Sequence, residues 1–246
     1  MKRFMCAALA FLPGPALAAS KETLRLDACR EVIHEAMAIK EEIPRDLMDR
    51  ARCVAVIPGV KKAAIGFGGR FGYGAVSCRG EGVSGVWGAP LMISLKGGSF
   101  GLQLGGQETD LVLLIMNAKG ADYLLRSQFT LGADAAVAAG PVGRNAEAAT
   151  DAQMRAEILS YSRSRGIFAG ISLEGAVVKP DEDANRHVYG ETLAARDVLL
   201  NQDRAVPPPA VAFVGELNRL APAGAGGDGS GVPGGDPVRN RAPRSR

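Results

Sequence analysis

Histidine is nearly absent from this chain: His34 and His187 are the only two in 246 residues. Between Ala51 and Met116 there is neither a histidine nor any metal-ligand spacing. General acid–base chemistry and metal-assisted hydrolysis therefore have little to draw on, and the scarcity points to a binding module. A charge excess is missing too. The formal net charge is +3, and without the first eighteen residues 27 Lys and Arg face 26 Asp and Glu. A near-neutral chain excludes a general nucleic-acid binder, whose affinity needs a strong positive field. Cysteine is sparse: beyond Cys6 there are Cys29, Cys53 and Cys78. In an oxidising compartment that allows one disulfide and leaves an odd thiol. Cys53 and Cys78 both lie in strand-like runs, which leaves two readings open, a cross-strand bridge or buried small hydrophobes.

The first eighteen residues pair Lys2 and Arg3 with an apolar run from Phe4 to Leu12, then Pro13, Pro15 and the small-residue site Ala16-Leu17-Ala18. This is the pattern of a cleaved export leader, so the mature chain is expected to start near Ala19 in the periplasm or outside the cell. Cys6, in the middle of the apolar run, is not read as a lipid anchor.

Glycine, by contrast, is abundant where the chain is most apolar. Two blocks, Gly66 to Gly74 and Gly97 to Gly106, punctuate near-continuous apolar runs. Glycine lets backbones approach closely and turns form, so the stretch reads as packed antiparallel strands. Cys53 to Ile57 is stopped by Pro58-Gly59, a turn pair. Ala63 to Gly69 and Gly72 to Cys78 read as a hairpin with Arg70 at its tip. Trp87 to Leu95, Ser99 to Gln107 and Leu111 to Met116 follow. Six strand candidates in so short a stretch have the density of a barrel or sandwich.

Helical spacing surrounds this block. Leu24, Ala28, Val32, Ala36 and Ile39 form a stripe between Leu24 and Ile43, widened by Ile33 and Met37. Pro44 ends that helix and starts a short one reaching Arg50. Asn117 caps a helix to about Arg126. Thr130 to Ala139 suits a small-residue strand. Ala156 to Arg165 and Ile167 to Val178 read as a second hairpin, Pro180-Asp181 opens a helix to about Tyr189, and Ala194 to Asn201 is another. From residue 202 the composition turns to proline and glycine, so 202–246 is expected to be a largely disordered tail, with a helical turn or two at Val211 to Leu220.

Three motifs offer enzyme readings, and each fails on context. Gly97-Gly98-Ser99-Phe100-Gly101 matches a nucleophile elbow, but an alternating strand follows instead of a helix. Gly66 to Gly74 approaches a dinucleotide fingerprint, yet Phe71 occupies a glycine position and no helix follows. Asp181, Glu182 and Asp183 are first-turn acids that complement a helix dipole. No catalytic residue, metal or cofactor is expected.

One stretch is charged with a single sign. Between Asp49 and Glu81 lie Arg50, Arg52, Lys61, Lys62, Arg70 and Arg79 with no acid. Basic groups at strand ends hold lipid phosphates well, arginine through its fork and lysine as a point charge. Lys61, Lys62, Arg70, Arg79 and Arg52 are therefore the candidate lipid-binding residues, with Phe67, Phe71 and Tyr73 as interfacial aromatics. The competing reading scatters these charges over solvated turns and buries the aromatics.

The run Ala51 to Arg79, the block Gly97 to Asn117, and Phe129 to Arg144 with the hairpin up to Glu174 resemble the SYLF domain, also called the actin-regulator domain of yeast Las17-binding proteins. The resemblance extends from about Asp27 to Asp197. It implies a lipid-binding module: eukaryotic members bind phosphoinositides and fungal ones actin filaments. The chain departs from that pattern in its first helix, where Lys21 to Glu42 has four basic residues against six acids, although eukaryotic relatives use a basic segment there.

The expectation is one α+β domain over 19–201, a glycine-rich antiparallel sheet curled toward a barrel with an N-terminal helical hairpin and short peripheral helices. Its expected function is non-enzymatic binding of anionic phospholipid or a membrane surface in the cell envelope. The alternative is a protein-interaction or assembly module with a protein partner. Nucleic acid is not an expected partner.

Overall fold

The computed structural model describes residues 19–38, 43–80, 85–142, 155–164 and 167–224, and for 63–67, 99–107 and 167–168 the backbone alone. The expected leader and the last 22 residues lie outside the described part.

Two long strands organise the fold. β1 (Cys53–Cys78) pairs antiparallel with β2 (Leu91–Ile115) from Cys53↔Ile115 to Val76↔Leu91. A straight strand of this length would span about 80 Å. Yet the Cα atoms of Cys53 and Cys78 are 4.0 Å apart and their sulfurs are bonded, so the ribbon curls until its ends meet. The Arg79 amide closes the circle by donating to the Arg52 carbonyl at 2.8 Å. Glycine makes the closure possible: a Cβ on Gly74 would sit 1.9 Å from the Val56 carbonyl oxygen.

The short strands lie on the other edge of β2. After α1 (Lys21–Ala38), α2 (Arg45–Arg50), the ribbon and α3 (Ala118–Leu124) come β3 (Phe129–Thr130), β4 (Val137–Ala139), β5 (Ile158–Ser164), β6 (Ile167–Gly170) and β7 (Val177–Pro180). β5 pairs with the C-terminal part of β2 and β7 with its N-terminal part; β4 runs parallel to β5, and β6 returns antiparallel from it. The fold is α+β with a curled sheet, as the sequence indicates.

Val54 and Val56 face one core, Ala55 and Ile57 another. A strand buried on both faces explains the near-continuous apolar run. The first core lies under α1, whose Leu26, Cys29, Val32 and Ile33 are buried, and Ser20 caps that helix by accepting from the Thr23 amide at 3.1 Å. The Cys29 thiol donates to the Val56 carbonyl, and burial pushes its pKa up to about 12. The second core is closed by Leu173 and by α5 (Ala195–Leu199), with α4 (Glu182–Tyr189) capped by Asp181.

Three expectations change. The hairpin at Gly69 to Phe71 does not form: Arg70 lies mid-strand opposite Gly97, and the three strand candidates from Ser99 back to Trp87 and on to Met116 merge into β2. Glycine bends the paired ribbon, whose ladder shifts register once within the glycine blocks, from Ala64↔Gly105 to Gly66↔Gly101. Pro58-Gly59 is a bulge, not a stop, since Ile57 faces Leu111 while Val60 faces Thr109. Gly59 has φ +56°, and its amide donates to Asp110 Oδ1 at 2.9 Å.

The third change is the end of the domain, which passes the expected boundary at 201. Pro208–Ala210 forms a 3-10 turn that starts α6 (Val211–Leu220), whose Phe213, Val214, Leu217 and Leu220 are buried in the core beneath α1. The prolines read as the start of a tail instead pre-set the first turn of a helix.

Candidate functional site

The bulge decides where the predicted basic residues go. Inserting one residue flips every following side chain to the other face of a strand. Past Gly59, Val60 and Lys62 therefore share the inner face with Ile57, while Lys61 falls on the outer face beside α1.

On the outer face Lys61 lines a cleft of about 560 Å³ between α1 and the ribbon, together with Phe71, Tyr73, Glu31, Glu35 and Glu108. Its other cations are committed. Arg25 pairs with Asp181 at 2.8 Å, and Arg163 with Asp110 at 2.8 Å and with Glu35. Burial pushes the Asp110 carboxyl up, while the Gly59 amide pulls it down. The outstanding feature is apolar: Phe71 is 47% and Tyr73 42% exposed. Lys96 stands directly opposite Phe71, and Ser94, opposite Tyr73, leads on to Lys179 in β7. The Tyr73 ring lies 6.0 Å from the Lys21 ammonium and 5.0 Å from the Arg25 guanidinium. Lys21, Lys61, Lys96 and Lys179 are all exposed. Asp181, Glu182 and Asp183 line the far end of this face.

On the inner face Lys62 and Arg70 share a cleft of about 270 Å³ with Thr109, Ser162, Ser164 and Ser172 over an apolar floor of Val60, Leu111, Ile171 and Leu173. No carboxylate lines it among the described residues. Arg70 Nε is buried without an acceptor among the described residues, and burial lowers the pKa of its guanidinium.

Arg79 and Arg52 lie elsewhere, at the disulfide end of the ribbon, where they line a cleft of about 180 Å³ with Cys53 and Cys78. The Arg79 guanidinium is buried: it donates to the carbonyls of Ala221 at 2.9 Å, Pro222 at 3.1 Å and Gly85 at 3.3 Å, and lies 4.4 Å from the Trp87 ring. It anchors the end of α6. The five predicted residues thus occupy three places: Lys61 outside, Lys62 with Arg70 inside, Arg52 with Arg79 at the closure.

The residues behind the enzyme readings sit in continuous strand and in helix-to-helix pairs. Gly97 to Gly101 is continuous strand paired with Gly66 to Arg70. His34 sits 2.8 Å from Glu216, and His187 3.3 Å from Glu22, each a surface pair between helices. The Ser99 side chain lies outside the described residues. Sequence reasoning missed Lys96 and Lys179, because each falls just past the end of a strand candidate, Trp87 to Leu95 and Ile167 to Val178; only cross-strand register sets them beside the aromatics.

A family model described as "Las17-binding protein actin regulator" matches residues 96–220. The chain is 37% identical over 182 residues to LAS seventeen-binding protein 3 of Saccharomyces cerevisiae, covering 72% of this chain and 38% of the yeast protein. It is 38% identical over 182 residues to an SH3 domain-containing protein of Schizosaccharomyces pombe, with 72% and 41% covered. With SH3 domain-containing YSC84-like protein 1 of Mus musculus it shares 34% over 171 residues, 69% and 48% covered. The match takes up less than half the length of each of these relatives.

Proposed function

The chain belongs to the family of Las17-binding protein actin regulators, and we propose that it is a non-enzymatic binding protein whose target is an anionic phospholipid surface in the cell envelope. The observation that carries this is the outer face of the ribbon, where Phe71 and Tyr73 stand exposed among Lys21, Lys61, Lys96 and Lys179. Aromatic rings settle at the level of lipid headgroups, and each lysine near an anionic surface contributes about 1 kcal/mol. The acids around α4 offset part of that attraction, so insertion of the two rings matters more than charge. The leader-like first eighteen residues support an envelope location.

Co-sedimentation with phosphatidylglycerol vesicles tests the reading. Phe71→Ser with Tyr73→Ser should weaken retention at least about tenfold, since burying one aromatic is worth about 2 kcal/mol. Lys96→Glu should weaken it further at low salt than at high salt. Undiminished retention of the double variant sinks the proposal.

The second reading is a protein-interaction module. The family description and the name of the yeast relative, a LAS seventeen-binding protein, favour it. Absence of vesicle affinity together with stoichiometric binding of a defined envelope protein would decide for it.

A further inference from the structure

The inner face of the ribbon carries a separate ligand site. We propose that the cleft holding Lys62 and Arg70 binds a phosphate monoester, with its two cations on the phosphate oxygens and the hydroxyls of Thr109, Ser162, Ser164 and Ser172 completing the shell.

Lys62 and Arg70 are eight residues apart on one strand, about 26 Å if the strand were straight. The curl of the ribbon bends that segment so that both line one cleft of about 270 Å³. Neither side chain has an ion pair or hydrogen bond to a described residue, whereas Arg25 and Arg163 on the other face are both paired with carboxylates. Arg70 Nε is closed off with no acceptor among the described residues, so a ligand meets Arg70 through the rest of the guanidinium, which lines the cleft with no described partner. An anion is required, because burial already disfavours the charged guanidinium and no described carboxylate neutralises it. Phosphate fits better than a carboxylate: the donors outnumber what two oxygens accept, and arginine beside lysine is the pairing that grips phosphate. The floor of Val60, Leu111, Ile171 and Leu173 suits the carbons of a small alcohol esterified to it. Cross-strand register fixes this geometry, with Val60 opposite Thr109 and Leu111 opposite Ser162.

Such an ester arrives either free in solution or as the headgroup of a phosphatidic-acid-like lipid, and the two sources are separable. The full chain would be titrated by calorimetry with glycerol 3-phosphate, and separately with phosphatidylcholine vesicles containing phosphatidic acid. Saturable one-to-one heat with glycerol 3-phosphate, at least about tenfold weaker in Lys62→Gln and unchanged in Arg196→Gln on α5, a residue that does not line the cleft, supports a soluble ester. Heat from the phosphatidic acid vesicles alone, lost in Lys62→Gln, supports the headgroup. Arg70→Gln should behave like Lys62→Gln; if it fails to fold by circular dichroism, Lys62→Gln carries the test. No saturable heat from either probe, or full affinity in Lys62→Gln, overturns the site. The outer-face reading fails separately: Phe71→Ser with Tyr73→Ser should leave glycerol 3-phosphate binding intact whatever it does to vesicles.

Discussion

Arg79 shows how far a residue's role departs from its charge. In sequence it is one cation in an acid-free stretch; in the fold its guanidinium serves three carbonyls and lies against Trp87, whose own indole N–H donates to Ala221 at 2.9 Å. Arg79→Ala should lower stability by about 2–4 kcal/mol in urea denaturation, because charge-assisted bonds are lost and buried acceptors are orphaned. Lysine should not restore it, since a point charge cannot span the separate acceptors that the fork reaches. A second residue-scale prediction concerns pH. Glu216 in α6 accepts two bonds from Arg219, at 2.5 and 2.9 Å, and faces His34. Arg219, with a smaller contribution from His34, holds its carboxyl down from the ordinary 4.5 to about 2. The folded value is depressed, so the stabilisation is complete above the ordinary glutamate range and disappears as pH falls toward about 2. The melting-temperature gap between the native chain and Glu216→Gln should therefore close between about pH 4.5 and about pH 2. A constant gap would mean the ion pair contributes nothing.

At the scale of elements, the ribbon depends on a few backbone positions. A Cβ at Gly74 would meet the Val56 carbonyl oxygen at 1.9 Å and the Ile57 Cα at 2.8 Å, both backbone atoms, whereas Gly98 has nothing within 4 Å. Gly74→Ala should cost more than about 3 kcal/mol or prevent folding, and Gly98→Ala should stay within about 1 kcal/mol, read by thermal melts of the two variants. Both glycines look alike in the sequence. The helices α2, α3, α4 and α5 were legible there because capping and proline signals act locally: Asn117 accepts from the Gly120 amide and Asp181 from the Ala184 amide, within one turn of chain. The bulge was not legible. Pro58-Gly59 has the composition of a turn, and what keeps it in register is Asp110, 51 residues away in sequence. Strand alternation alone parts Lys61 from Lys62, the pair that looked most like a single site, and that one inserted residue decides which of the two faces α1.

Across the whole molecule, the disulfide joins the two ends of the curled ribbon over a separation of 25 residues. Replacing Cys53 and Cys78 by serine should remove about 3 kcal/mol in the chain-entropy account. Alkylation of the denatured, unreduced protein lacking its first eighteen residues should find one thiol, that of Cys29, and three would exclude the bridge. The sequence by itself determined most of the helices, the glycine-dense sheet, the family, and an acid-free run of cations, because periodicity, caps and composition are properties of neighbours along the chain. The tertiary structure alone decided that the ribbon closes on itself, that α6 belongs to the core, and that the five cations divide among three places. Those outcomes depend on which strand faces which and with what parity, and a register set by contacts fifty residues apart leaves no local trace in the order of amino acids.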